Sequence, residues 1–148
     1  MGYINEMTLR FRAIKENESF VRMSVAGFVA SINPTVEEIG DIKTALSEAI
    51  TNSIVHAYPN GVGDVIVNVK INDNIVYITV TDYGIGIADI NKAKQPFYTS
   101  KPNSERSGMG FTVMEGFMDE VEVVSTLGKG VVVSMSKKIG VVNMAMGG

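Results

Sequence analysis

Residues 75–86 read Ile75-Val76-Tyr77-Ile78-Thr79-Val80-Thr81-Asp82-Tyr83-Gly84-Ile85-Gly86, and the fold turns on the two-residue period inside them. Val76, Ile78 and Val80 share one face of an extended strand, so the alternation carries Asp82 onto the same apolar side. A carboxylate is thereby aimed at the edge of a core. Burying it without partners is costly, so it needs a donor there, either from a turn that it caps or from a ligand amino group.

Working outward, Val65 to Ile71 is a second β-branched run joined to the first through Asn72-Asp73-Asn74, which predicts a hairpin. Met7 to Ala13 alternates apolar with polar residues and predicts an earlier strand, and Glu120 to Thr126 with Gly130 to Lys138 predict a last pair across a glycine turn. Between these lie helical periods. Phe20, Val21, Val25, Phe28, Val29 and Ile32 recur at three and four residues before Asn33-Pro34 ends the run. Thr35 with Glu38 three residues on forms a capping box, and Ile39, Ile42, Leu46, Ala49 and Ile50 continue a stripe to about His56. Gly108 to Met118 starts a third helix after a long, ligand-binding type of loop over residues 83–107. The expected fold is α+β: a two-layer sandwich with a mixed, mostly antiparallel sheet and helices on one face. The chain is expected to form one domain over residues 1–148, frayed from Ile139.

Composition narrows the function. A chain of 148 residues buries roughly two thirds of its unfolded surface. With 45% apolar and 20% charged residues it is neither disordered nor a membrane protein, since a span needs about 20 unbroken apolar residues. A net charge of -3 speaks against a broad nucleic-acid surface, and zero cysteines exclude disulfides and thiolate metal sites. Met1-Gly2 is not followed by the Ser or Thr of an acylation signal, because position 6 is Glu6. A cytoplasmic protein is expected.

On the second helix Glu48 and Asn52 are four apart and share one face, with His56 continuing the row. Such a row is either a solvated helix face or an oxygen-ligand site: an Asn amide oxygen beside a carboxylate suits Mg²⁺ bridging phosphates, and Glu48 could orient or deprotonate an attacking hydroxyl. His56 reads as structural. For Asp82 the ligand alternative is adenine N6, and Gly84 and Gly86 would let a flat base approach the main chain. Ser107-Gly108-Met109-Gly110 opens a helix, where unpaired N–H groups favour a phosphate if the segment is more than a flexible start. Lys101 and Arg106 lie in an exposed basic loop from which cations could reach terminal phosphates. The phosphate-loop and dinucleotide fingerprints and the hydrolase elbow are all missing, and one histidine cannot build a multi-His metal site.

The order Glu-x-x-x-Asn on a helix, Asp-x-Gly-x-Gly after a strand and Gly-x-Gly before a helix closely resembles the GHKL ATPase superfamily of gyrase B and the histidine kinases. Glu16-Asn17-Glu18-Ser19-Phe20, Gln95 to Pro102 and Glu105-Arg106-Ser107-Gly108-Met109-Gly110-Phe111 look, within it, like the anti-sigma F family of endospore-forming bacteria. The resemblance implies ATP or ADP with Mg²⁺ and a serine kinase acting on an anti-anti-sigma antagonist. It also implies binding of RNA polymerase sigma factor F and a homodimer, while the charge and composition above lead us to expect no direct contact with nucleic acid or membrane.

Carried onto this chain, the resemblance makes Glu48 the general base, Asn52 the Mg²⁺ ligand and Asp82 the adenine reader, with Gly84, Gly86, Gly108 and Gly110 shaping the pocket. It puts Arg106 on the γ-phosphate or the antagonist, Thr99, Ser100, Lys101, Ser107 and Met109 around the nucleotide, and Arg22 on a partner. Where the family often has a Thr behind the adenine-reading Asp, this chain reads Gly130-Val131-Val132-Val133, so Val132 is expected to replace a hydroxyl. A switch kinase for a stress-response sigma factor, the ATP-binding half of a histidine kinase, and a non-catalytic nucleotide sensor are the alternatives.

Overall fold

The computed structural model describes residues 4–59, 61–87 and 110–140. Its elements in chain order are β1 (Ile4–Arg12), α1 (Glu18–Val29), α2 (Val36–Asn52), β2 (Asp64–Asn72), β3 (Ile75–Asp82), α3 (Gly110–Phe117), β4 (Glu120–Thr126) and β5 (Gly130–Lys138). The fold is α+β, and the five strands pair in the order β1-β2-β3-β5-β4.

Every pairing among these strands is antiparallel, where some parallel pairing was expected. The chain enters β4 at the sheet edge and turns back through Gly128 and Gly130 into β5, which inserts beside β3. Had β4 met β3 directly the pair would run parallel; the returning strand removes that contact. Asp73 takes a left-handed φ of 57° in the β2–β3 turn, a conformation that Asp and Asn tolerate better than most residues.

The alternating residues Val65, Val67, Val69, Val76, Ile78 and Val80 point from one face of the sheet into a core shared with Val21 and Val25 of α1, Ile42, Leu46 and Ile50 of α2 and Met114 of α3. All are fully or almost fully buried, and each such side chain contributes roughly 1.5–3 kcal/mol. The helices therefore cover one face, as the strand phase demands. Thr35 and Glu38 form the expected capping box at the start of α2. On the other face Thr8, Asn68, Thr79, Ser134 and Glu122 line up across the strands. A depression of about 700 Å³ there is lined in part by Lys70, Tyr77, Glu120 and Ser136, on the side of the sheet away from Asp82. No helix among the described residues is long and apolar enough to cross a membrane.

Fraying does not begin at Ile139. Its side chain is 1% exposed in the core, its N–H donates to the Asn74 carbonyl at 2.7 Å, and Asn74 Nδ2 donates back to its carbonyl at 2.9 Å. Gly140 N–H then donates to Glu38 Oε2 at 3.0 Å, so the capping-box carboxylate also anchors the end of the last strand. The rest of the expected frayed tail lies outside the described residues.

Candidate functional site

Helix α2 does not run straight to His56. It passes at Asn52 into a π-turn, Ser53–Ala57, the kind of helix irregularity that recurs at functional sites. Upstream of it, Glu48 and Asn52 face the start of α3: a Cβ added to Gly110 would lie 3.0 Å from Asn52 Nδ2, 3.3 Å from Asn52 Oδ1 and 3.3 Å from Glu48 Oε2. The absence of a side chain at Gly110 keeps open the space over both polar groups. An amide oxygen and one carboxylate fit Mg²⁺, which takes few protein ligands and fills its octahedron with water and phosphate oxygens. No cluster of three or more His, Cys, Asp or Glu that could hold a metal occurs among the described residues.

Asp82 is buried at 5% exposure, on the side that the strand phase predicts. The chain itself supplies the donors that it needs. Gly84 N–H and Val131 N–H donate to Oδ1 at 3.0 and 3.2 Å, and the Ser53 hydroxyl donates to Oδ2 at 2.9 Å. The turn-capping alternative is thus realised, since Asp82 caps the turn through Gly84, and no ligand is required to satisfy its charge. A carboxylate offers about four lone-pair sites, so one on Oδ2 remains for a ligand amino group.

The loop after β3 is held against the π-turn by close backbone contact. A Cβ on Gly84 would fall 2.1 Å from the Ala57 carbonyl oxygen, and Ile85 N–H donates to that same oxygen at 2.9 Å. Gly86, at φ 81°, lies against the Thr126 carbonyl, and Gly128 N–H donates to the Ile85 carbonyl at 2.7 Å. Ile87 N–H donates to Ser125 Oγ at 2.6 Å. Tyr58 latches the other side: its hydroxyl donates to the Asp64 carbonyl at 2.6 Å and accepts from Tyr83 N–H at 2.8 Å. Burial pushes the Tyr58 phenol above its ordinary range; the Tyr83 N–H bond pulls it down, and the charges of Asp82 and Asp64 push it further up.

One expectation changes in β5. Asp82 pairs with Val131, whereas Val132 pairs with Thr81 on the opposite face of the sheet. Val131, not Val132, is therefore the apolar neighbour of the carboxylate, and the hydroxyl beside it comes from Ser53 of the π-turn. Ser53, Tyr58, Ser125 and Gly130 were missed in the sequence. Ser53 left a signal: it is the polar member of the buried row Ile42, Leu46, Ala49 and Ile50.

Arg22 bonds its helix neighbour Glu18 at 2.9 and 3.1 Å, and Glu18 also accepts from Ser47 Oγ at 2.8 Å, which ties α1 to α2 next to Glu48. Thr99, Ser100, Lys101, Arg106, Ser107, Gly108 and Met109 lie outside the described residues.

Residues 11–137 match the histidine kinase-like ATPase domain. Sequence relatives include the anti-sigma F factor of Geobacillus thermodenitrificans, 55% identical over 138 residues that cover 91% of this chain and 93% of the relative. Another is the anti-sigma F factor of Caldanaerobacter subterraneus subsp. tengcongensis, 54% identical over 140 residues, 95% of this chain and 98% of the relative. The chain belongs to the anti-sigma F factor family. It shares its fold with solved structures of more distant sequence. One holds the RsbU and RsbW domains of Rv1364c from Mycobacterium tuberculosis, with a TM-score of 0.65 at 17% identity over 91% of this chain and 32% of that one. The histidine kinase domain of the Erythrobacter litoralis blue-light activated kinase has a TM-score of 0.55 at 19% identity over 82% and 61%.

Proposed function

We propose that the chain is a single-domain cytoplasmic anti-sigma factor and serine kinase that binds sigma factor F and uses ATP with Mg²⁺ to phosphorylate a serine of its anti-anti-sigma antagonist. Family membership and the names of the relatives support the reading, and one observation carries it: Glu48 and Asn52 converge on Gly110 at the opening of α3.

In this reading the nucleotide supplies the phosphoryl group. Asp82 holds the base at the sheet edge, Asn52 holds Mg²⁺, and the backbone at Ser107, Gly108, Met109 and Gly110 receives the phosphates at a helix start. Glu48 accepts the serine proton as the serine oxygen bonds to the γ-phosphorus and the bond from that phosphorus to the ADP oxygen breaks. Catalysis is then mostly positioning and charge neutralisation, with Thr99, Ser100 and Lys101 close by and Arg106 on the γ-phosphate or the antagonist. Arg22 contacts a protein partner by exchanging its bond to Glu18, and the kinase acts as a homodimer.

The test incubates the chain with labelled ATP, Mg²⁺ and a candidate anti-anti-sigma protein and maps the modified residue. Phosphoserine on the antagonist is expected; phosphohistidine, or nucleotide binding without transfer, overturns the reading. A parallel pull-down is expected to retain sigma factor F, and retention of a stress sigma factor instead would reassign the partner.

A further inference from the structure

Ser53 and Asp82 are the two buried polar residues among the described positions, and they are bonded to each other. We infer that Ser53 is a specificity-determining residue of the base pocket, and that it reads a 6-amino purine together with Asp82. The inference rests on the nucleotide reading above.

The hydrogen-bond count carries it. Oδ1 of Asp82 is filled by Gly84 N–H and Val131 N–H, and Oδ2 already takes the Ser53 hydrogen. A hydroxyl has one hydrogen, so Ser53 has no donor left and keeps its oxygen lone pairs. The pair therefore presents two adjacent acceptors and no donor. An exocyclic amino group, with two hydrogens, satisfies that array; a 6-oxo group meets only lone pairs. Among the described residues no other side-chain hydroxyl bonds Asp82, and the strand position facing it is Val131. Ser53 reaches Asp82 because it continues the buried row of α2 at the first position of the π-turn.

The experiment compares dissociation constants of ADP and of inosine diphosphate, which differ in amino against oxo at that position, for the full chain and for Ser53→Ala and Ser53→Thr. The chain is expected to prefer ADP. Ser53→Ala is expected to lose about three- to tenfold in ADP affinity, the worth of roughly one hydrogen bond, with inosine diphosphate changed less than about twofold, and Ser53→Thr is expected to restore the preference. If Ser53→Ala does not fold, Ser53→Cys takes its place, since a thiol keeps the volume but is a weak donor and acceptor. An ADP preference that survives unchanged in the hydroxyl-free variant overturns the role of Ser53 and leaves the base reading of Asp82 standing. Absence of any preference in the unmodified chain overturns both.

Discussion

The carbonyl oxygen of Ala57 lies 2.1 Å from where a Cβ on Gly84 would sit, so the loop after β3 and the π-turn after α2 touch backbone to backbone. Neither partner is a flexible side-chain end that could swing aside, and Ile85 N–H bonds the same oxygen. Gly84→Ala is expected to cost about 1–3 kcal/mol, the range for overpacking a tight site, and to weaken nucleotide binding as the loop is pushed outward. Chemical denaturation and ADP titration of the variant check both effects. Gly130→Ala is expected to cost at least as much, because its Cβ would lie 2.1 Å from the Asp82 carbonyl oxygen and its φ of 120° disfavours a side chain.

Removal of the Asp82 carboxylate separates its structural duty from its proposed ligand duty. Asp82→Ala leaves Gly84 N–H, Val131 N–H and the Ser53 hydroxyl without their acceptor in a buried place, and is expected to destabilise by about 2–4 kcal/mol. Asp82→Asn keeps one carbonyl oxygen for the two N–H groups and is expected to cost less than half as much, while ADP affinity falls in both. Equal stability of the two variants would mean that these donors find other partners.

Glu48 and Asn52 share a helix face but hold different proposed duties. Glu48→Ala is expected to slow serine phosphorylation about 10²–10⁴-fold, the usual worth of a positioned base, with ADP affinity held within about threefold. Asn52→Ala is expected to remove the Mg²⁺ dependence of ATP binding. Single-turnover transfer and Mg²⁺ titrations measure these, and transfer that continued at an unchanged rate in Glu48→Ala would remove Glu48 as the base.

Alkaline pH tests the Tyr58 latch. The phenol is held above its ordinary pKa of about 10 in the folded chain, so between that value and the raised one the folded state keeps a proton that the unfolded state has lost. Stability from this group is therefore complete below about pH 10 and falls as pH rises through the folded pKa. Tyr58→Phe is expected to be less stable at neutral pH, because Tyr83 N–H loses its acceptor, but to show a flatter decline above pH 10. Denaturation midpoints from about pH 8 to 11 compare the slopes.

The end of the last strand is a structural closure. Ile139→Ala is expected to cost about 2–4 kcal/mol, as for a large core side chain cut back where the site cannot collapse. Truncation after Lys138 is expected to cost more, because the bonds to Asn74 and Glu38 are lost as well, whereas truncation after Gly140 keeps them.

Local periodicity determined much of this protein. The two-residue period of β3 put Asp82 on the core side, the four-residue spacing of Glu48 and Asn52 put both on one helix face, and Thr35 with Glu38 marked the start of α2; each depends only on residues close in the chain. Tertiary structure decided what lies across from what. Ile139 ends a polar stretch and reads as tail, yet the turn at Asn74 closes over it. Val131 and Val132 are interchangeable in a run of valines, and only the register with Asp82 says which faces the carboxylate. Ser53 reads as one polar residue on a buried helix stripe; its partner is Asp82 because a π-turn and a strand end meet at the sheet edge. Strand phase and helix spacing are properties of a few adjacent residues, whereas hydrogen bonds between residues 29 positions apart exist only once the layers have packed.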